Sequence, residues 1–192
     1  MPVLQTKSLF ISAGHSHSDP GAVGNGHTEA DIVLAFRDAV ADELEGKVVF
    51  DRDGQKGQNL PLRKAVQQAS SHDVAVEFHC NAATPSASGV ETLSHPEDFP
   101  LGQALCETIS DTLGIPNRGA KPEGSGQHSR LAFVSSGGGI VVELFFISNP
   151  NDVAAYYRHK LAVARTLITG TRSFPNNHHH HLSNEPILNK YG

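Results

Sequence analysis

The sequence predicts a single α/β domain in which a twisted, mostly parallel sheet is flanked by helices. Three observations predict it. Short apolar runs alternate with segments of helical period, a glycine-rich stretch follows directly on the first apolar run, and the chain has 192 residues. That length supports one domain with a real hydrophobic core and is short for two. The domain is expected to fill residues 1–170, with 171–192 as a polar C-terminal tail.

The elements follow in order. Ser8 to Ser12 reads as a short buried strand ending at the glycine-rich stretch Ala13 to Gly26, so His15 falls in the loop at the strand's carboxyl end. In open α/β sheets ligand sites collect there. Thr28 and Asp31 have the spacing of a capping box, and Ile32, Phe36, Val40 and Leu44 then recur every fourth residue until Gly46. Glu29 therefore lies in the first turn of a helix. Lys47 to Phe50 is the second predicted strand. Asn59 is placed to cap a helix that has Pro61 near its start and Leu62, Ala65, Val66 and Ala69 on one side. Val74 to His79 is the third strand. Its period of two puts Ala75, Glu77 and His79 on one face and Val74, Val76 and Phe78 on the other.

Gly89 to Leu93 is predicted as the fourth strand. Leu101, Leu105, Thr108, Ile109 and Leu113 mark a helix stopped by Gly114 and Pro116. Leu131 to Val134 and Ile140 to Phe146 read as apolar strands around the glycines at 137–139. Asn151 opens a last helix, with Val153, Tyr157, Leu161, Ala164 and Ile168 facing inward and Gly170 closing it. Beyond it the chain is polar, with Pro175, Pro186 and the run His178 to His181. Four adjacent histidines can bind metal, but in a solvated tail they stay outside the predicted site.

Composition excludes several classes of function. Charged residues at 18% and a net charge of −5 lack the basic footprint of a nucleic-acid binder, so no polyanionic partner is expected. No apolar run approaches the roughly 20 residues that span a bilayer, and a soluble protein without membrane insertion is expected. Cys80 and Cys106 form no C-x-x-C pattern and read as two buried free thiols. The segment Met1 to Ser12 has one lysine and a short apolar patch that runs straight into His15, leaving no room for a removable signal peptide. Synthesis in the cytoplasm without an export signal of its own is expected.

The chemistry-bearing residues lie in three segments: His15 with His17, Asp19 and Glu29; Glu77 with His79; and Glu143. Two histidines and one glutamate are a standard ligand set for a hydrolytic zinc, and a second, unligated glutamate can move protons. Glu143 interrupts the apolar run I-V-V-E-L-F-F. A carboxylate there costs several kcal/mol of desolvation unless it is paired, near a metal or open to a cleft, and apolar surroundings raise its pKa. The alternative is a buried salt bridge to Arg63 or Arg118. Glu77 and His79 share a strand face and both can reach one metal. So can His17 and Asp19, which alternate with His15, and spacing alone leaves several ligand sets open.

The order G-H-x-x-x-D-P-G-A at 14–22, Glu29, R-K-A-V-Q-Q-A at 63–69, H-C-N-A at 79–82, R-G-A-K at 118–121 and V-E-L-F-F-I-S-N-P-N-D at 142–152 resembles the zinc-dependent N-acetylmuramoyl-L-alanine amidases of the Amidase_3 type. The resemblance runs from about Phe10 to about Leu167. It implies one Zn2+ per chain bound by His15, Glu29 and His79, with Glu143 as the catalytic carboxylate that takes a proton from water and passes it to the departing amine. The implied substrate is peptidoglycan, cut at the amide between N-acetylmuramic acid and L-alanine. Three departures stand out: Ser16 and His17 where the family often has glycines, Glu77-Phe78 where it often has Ser-Ile, and the bulky Leu144-Phe145-Phe146. None removes a ligand, and Glu77 stays open between a hydrogen-bond partner of a ligand, a group that alters the pKa of the zinc water and a solvent-facing side chain. Asn81, Arg63 and Arg118 receive no role. The expected protein is a monomeric phage or prophage lysis enzyme, made in the host cytoplasm and acting on the wall in the periplasm through an open, constitutively active groove. The alternatives are a bacterial wall-remodelling amidase, a zinc peptidase on another substrate and a non-catalytic peptidoglycan-binding protein.

Overall fold

The structure, a computed structural model, describes residues 8–171 other than 17, 127 and 128. In chain order its strands are β1 (Leu9–Ala13), β2 (Val23–Gly24), β3 (His27–Thr28), β4 (Phe50–Arg52), β5 (Val74–Asn81), β6 (Val90–Ser94), β7 (Asn117–Pro122) and β8 (Ile140–Phe146). The helices are α1 (Glu29–Leu44), α2 (Leu62–Ala69), α3 (Phe99–Leu113), α4 (Ala132–Ser135) and α5 (Pro150–Thr171), with two single 3-10 turns before α3 and α4. Six strands form one sheet in the order β4-β1-β5-β8-β6-β7, while β2 and β3 pair as a small hairpin. The first four in that order run parallel, β6 is antiparallel to β8, and β7 is parallel to β6. This is the predicted α/β domain with a mostly parallel sheet.

The two faces of the sheet are covered unequally, and that inequality makes the site. Ile11, Val76, Phe78, Val142 and Leu144 point into the larger core, packed against buried side chains of α1, α3 and α5 such as Phe36, Ile109 and Tyr156. Period two sends the intervening residues the other way. Phe10, Ala75, Leu93 and Val141 pack in a smaller cluster with Ala65 and Ala69 of the eight-residue α2 and Phe133 and Val134 of the four-residue α4. Two such short helices cover only the lower part of that face. The carboxyl ends of β1, β5 and β8 are left open beside them, where Glu77, His79 and Glu143 follow in the same alternation.

A buried cation holds the edge next to this opening. Arg37 of α1 has no exposed surface, and its guanidinium donates to the Asp53 carboxylate, to the Asp53 carbonyl and to the carbonyls of Gln55 and Gln58. Asp53 Oδ1 also accepts from the backbone N–H of Ala13 at 3.2 Å. One side chain thus ties the loop after β4 to the end of β1, directly before His15. Such a pair is worth most as a fixed geometry, since removing one partner would strand the other charge in the interior.

Several elements differ from expectation. The second strand lies at Phe50–Arg52 rather than Lys47 to Phe50. Leu131 to Val134 is not a strand: Ala132–Ser135 forms a helical turn that packs Phe133 and Val134 downward. Asn59 does not cap α2, whose first turn begins at Pro61 without a side-chain cap, and instead donates to the carbonyls of Ala13 and His15. The third strand runs two residues beyond His79, to Asn81. β7, with the polar sequence N-R-G-A-K-P, was not anticipated. In α5 the inward residues are Val153, Tyr156, Val163, Ala164 and Leu167, while Tyr157 and Leu161 are 43% and 50% exposed. The side chain of Ile168, and residues 172–192 with His178 to His181, lie outside the described residues, and Thr171 still belongs to the helix. Cys80 and Cys106 are free and buried, as expected. Among the described residues no helix is long and apolar enough to cross a membrane.

Candidate active site

His15 is delivered by the turn that leaves β1. Gly14 donates to the Phe78 carbonyl at 3.0 Å, and His15 then adopts φ 62°, a left-handed conformation uncommon for a residue with a Cβ. The Asn59 amide holds the His15 carbonyl in that turn. Strained backbone of this kind persists where surrounding contacts fix it, and it recurs at functional sites. Glu29 comes from the opposite wall. The Thr28 side chain accepts from Asp31 N, so α1 starts at Glu29 and aims its carboxylate at the end of β1.

The Glu29 carboxylate is the hub. Its Oε1 lies 3.0 Å from His15 Nε2 and 3.0 Å from His79 Nδ1, and it accepts from Cys80 N at 2.9 Å. Its Oε2 accepts from Ala22 N at 2.9 Å. One ligand atom from each of His15, Glu29 and His79 lies within 4.8 Å of the others, and the two rings meet edge to face at 5.0 Å. Burial pushes the Glu29 carboxyl up, but hydrogen bonds from both imidazoles outweigh it and hold Glu29 well below the usual carboxylate range. The hydrogen bond to Glu29 raises the pKa of His15. For His79, burial opposes a charge, yet its bonds to Glu29 and Glu77 still raise the pKa well above the ordinary value. The cluster therefore gathers positive charge, which a divalent cation can supply in place of ring protons.

The rival ligand residues separate from this group. His17 lies outside the described residues. Asp19 accepts from the far nitrogen of His15, Nδ1, at 3.1 Å. Glu77 meets the far nitrogen of His79, Nε2, at 3.0 Å, while its other oxygen accepts from the Ser12 hydroxyl. It is buried and does not face solvent.

Glu143 stands beside His79 in the parallel β5–β8 register and opposite Glu91 across the antiparallel β6–β8 pair. Its Oε2 is buried and has no hydrogen-bond partner among the described residues. Burial pushes its carboxyl up to about 7. Neither Arg63 nor Arg118 forms an ion pair with it: Arg118 and Lys121 both bind Glu91 Oε2, at 2.6 and 2.7 Å, and Asn81 donates to Glu91 Oε1. Glu91 is the site residue the sequence did not reveal. Its partners sit in β7, whose polar sequence carried no strand signal. Two connected cavities open around the cluster. One, of about 300 Å³, is lined by His15, Glu29, His79, Asn81, Glu91 and Glu143. The other, of about 400 Å³, shares His15 and His79 and has apolar walls from Leu60, Leu62, Leu131 and Phe133.

Gly14 is the residue that makes room for the second ring. A Cβ there would stand 2.2 to 2.7 Å from three ring atoms of His79, closer than van der Waals contact allows. Gly14→Ala is expected to displace the imidazole and lower turnover on cell wall by about 100-fold, the usual cost of a 1 Å misplacement at a reacting centre. Parallel measurement of zinc affinity and turnover checks this, and an unchanged enzyme would show that the ring has slack.

The fold and the site define a class first: an α/β domain that gathers two imidazoles and a carboxylate at the open ends of parallel strands, beside a second carboxylate whose buried oxygen has no hydrogen-bond partner among the described residues. The chain belongs to the N-acetylmuramoyl-L-alanine amidase family, Amidase_3, whose model matches residues 9–170. It is 40% identical to a Neisseria meningitidis protein assigned as an N-acetylmuramoyl-L-alanine amidase, whose crystal structure superposes with a TM-score of 0.79 over 86% of this chain and 93% of that one. It is 30% identical over 183 residues to the uncharacterized protein YqiI of Bacillus subtilis, covering 89% of this chain and 86% of that protein. It is also 34% identical over 163 residues to the endolysin of Bacillus phage SPP1, covering 78% of this chain. The chain spans 58% of that endolysin's length.

Proposed function

We propose that the chain is a zinc-dependent N-acetylmuramoyl-L-alanine amidase that hydrolyses the amide between the lactyl group of N-acetylmuramic acid and the L-alanine of the peptide stem. The observation that carries this reading is the pairing of the His15–Glu29–His79 cluster with the unbonded Glu143 carboxylate in one cavity. The donor set fits zinc: two imidazole nitrogens and a carboxylate oxygen are one of its standard three-ligand groups. A zinc held there supplies Lewis acidity toward the scissile carbonyl and lowers the pKa of bound water to about 7.

The remaining work falls to this chain's own residues. Ionised Glu143 takes a proton from the attacking water as the water oxygen adds to the carbonyl carbon. It then returns that proton to the alanine nitrogen as the C–N bond breaks, which lets the peptide leave as a neutral amine. Burial that raises the carboxyl above its ordinary range suits both steps, since it brings accepting and releasing a proton closer in free energy. The two cavities leave room beside the cluster, one lined by Asn81, Glu91 and Glu143 and the other by Leu60, Leu62 and Phe133, for the two halves of a branched glycopeptide. The likeness to the SPP1 endolysin supports a second, finer reading, a role in phage lysis.

Digestion of purified peptidoglycan followed by mass spectrometry tests the bond. The expected products are stem peptides with a free alanine amino terminus and no new reducing sugars. Cleavage within the peptide, or wall binding without release, would overturn the assignment.

A further inference from the structure

We infer that Glu77 is a positioning residue for His79, fixing which ring nitrogen is offered to a metal and strengthening the grip on it. The inference rests on the metal reading of the His15–Glu29–His79 cluster and concerns a side chain outside that ligand set.

Glu77 and His79 project from the same face of β5, and Glu77 Oε1 lies 3.0 Å from His79 Nε2. Its other oxygen is anchored as well: the hydroxyl of Ser12, fully buried on the neighbouring strand β1, donates to Oε2 at 3.0 Å. The carboxylate is therefore clamped at both ends in a buried position. An ionised carboxylate is an acceptor only, so the hydrogen between it and the ring belongs to Nε2. Without a metal Nδ1 donates as well, to Glu29 Oε1; a cation bound beside Glu29 would take the place of that proton, while Glu77 keeps the one on Nε2. Nδ1 is the nitrogen turned toward the site, 3.0 Å from Glu29 Oε1.

Geometry also rules out Glu77 as a ligand in its own right. It occupies the ring nitrogen opposite the one that faces Glu29, while His15 reaches Glu29 from the same side as Nδ1. Gly14 bounds the ring on a further edge, where a Cβ would stand within 2.7 Å of three of its atoms. Three contacts thus set the ring's orientation, and only the one from Glu77 carries a full charge without claiming the metal. Carboxylates in this position fix the tautomer and raise ligand basicity, and their loss typically costs 10–100-fold in metal affinity.

The test measures Zn(II) dissociation constants by chelator competition for the wild type, Glu77→Ala and Glu77→Gln, with His79→Ala as the reference for a lost ligand. Glu77→Ala is expected to bind zinc about 10–100-fold more weakly. Glu77→Gln keeps an acceptor oxygen for Nε2–H and is expected to recover most of that loss. Long-range ¹H–¹⁵N spectra of the zinc-loaded wild type give a second readout that does not depend on any variant folding: the expected pattern is a proton on His79 Nε2 with the metal on Nδ1. Wild-type zinc affinity in Glu77→Ala, or a metal on Nε2, overturns the inference and leaves the three-ligand site standing. Equal zinc binding by wild type and His79→Ala overturns the metal reading itself.

Discussion

Replacing Glu143 with glutamine is expected to lower turnover on purified cell wall by about 10²–10⁴-fold, the usual contribution of a positioned acid–base group, while the protein keeps one zinc per chain. Glutamine has the same shape and no basic oxygen, so the substitution removes the proton carrier and little else. The wild-type kcat/KM is expected to fall on the acid side, because the ionised form does the work and burial pushes its pKa above the ordinary carboxylate value. The same substitution makes a prediction about stability. A carboxyl whose folded pKa exceeds its unfolded one favours the fold fully below pH 4.5 and loses that contribution as pH rises through 7. The shift corresponds to at most about 3 kcal/mol at 1.36 kcal/mol per unit. Metal-free Glu143→Gln should therefore melt at a higher temperature than wild type at pH 8 and at nearly the same temperature at pH 4. A near-normal turnover in the variant would remove Glu143 from the mechanism.

His79→Ala, and separately His15→Ala, should lose zinc and activity together. On the proposed reading each supplies one of three ligand atoms, so the loss of affinity should exceed the 10–100-fold that an outer partner is worth. Metal analysis after dialysis against a weak chelator, run beside a turnover assay, separates this class of defect from that of Glu143→Gln, in which the metal remains. Removing the metal from the wild type should abolish turnover, and adding zinc back should restore it only where both histidines are present. A His79→Ala protein that still carries one tightly held zinc would relocate the site.

Much of this arrangement was legible because local signals and the sheet's geometry agree. The Thr28 cap placed Glu29 in the first turn of α1, and period two put Glu77 and His79 on one face. Glu143 stood out as a charge in an apolar strand, and its Oε2 is buried with no hydrogen-bond partner among the described residues. What was not legible depends on neighbours distant in sequence. Leu131 to Val134 is too short for periodicity to separate helix from strand, and only its packing on Ala65 and Ala69 decides. β7 is polar because it lies at the sheet's edge, where one flank needs no apolar cover. Asn59 looked like a cap but serves the turn at His15, a demand that exists only once β1 and α2 are side by side. Residue spacing left Glu29 and Glu77 equivalent and only the family resemblance separated them; that the two meet opposite nitrogens of the His79 ring is a fact of packing that spacing does not encode.

The two thiols have a consequence for where the protein can work. Cys80 follows His79 directly and its backbone N–H binds Glu29, while Cys106 lies under Thr92 in the helical layer. Both are buried, and burial pushes both upward, Cys106 to about 11 and Cys80 well above its ordinary value. At neutral pH neither is a thiolate, the form that oxidants and disulfides attack. The domain should therefore keep its shape and its site in oxidising and reducing surroundings alike, and carry its chemistry across a change of redox environment without a protecting bond.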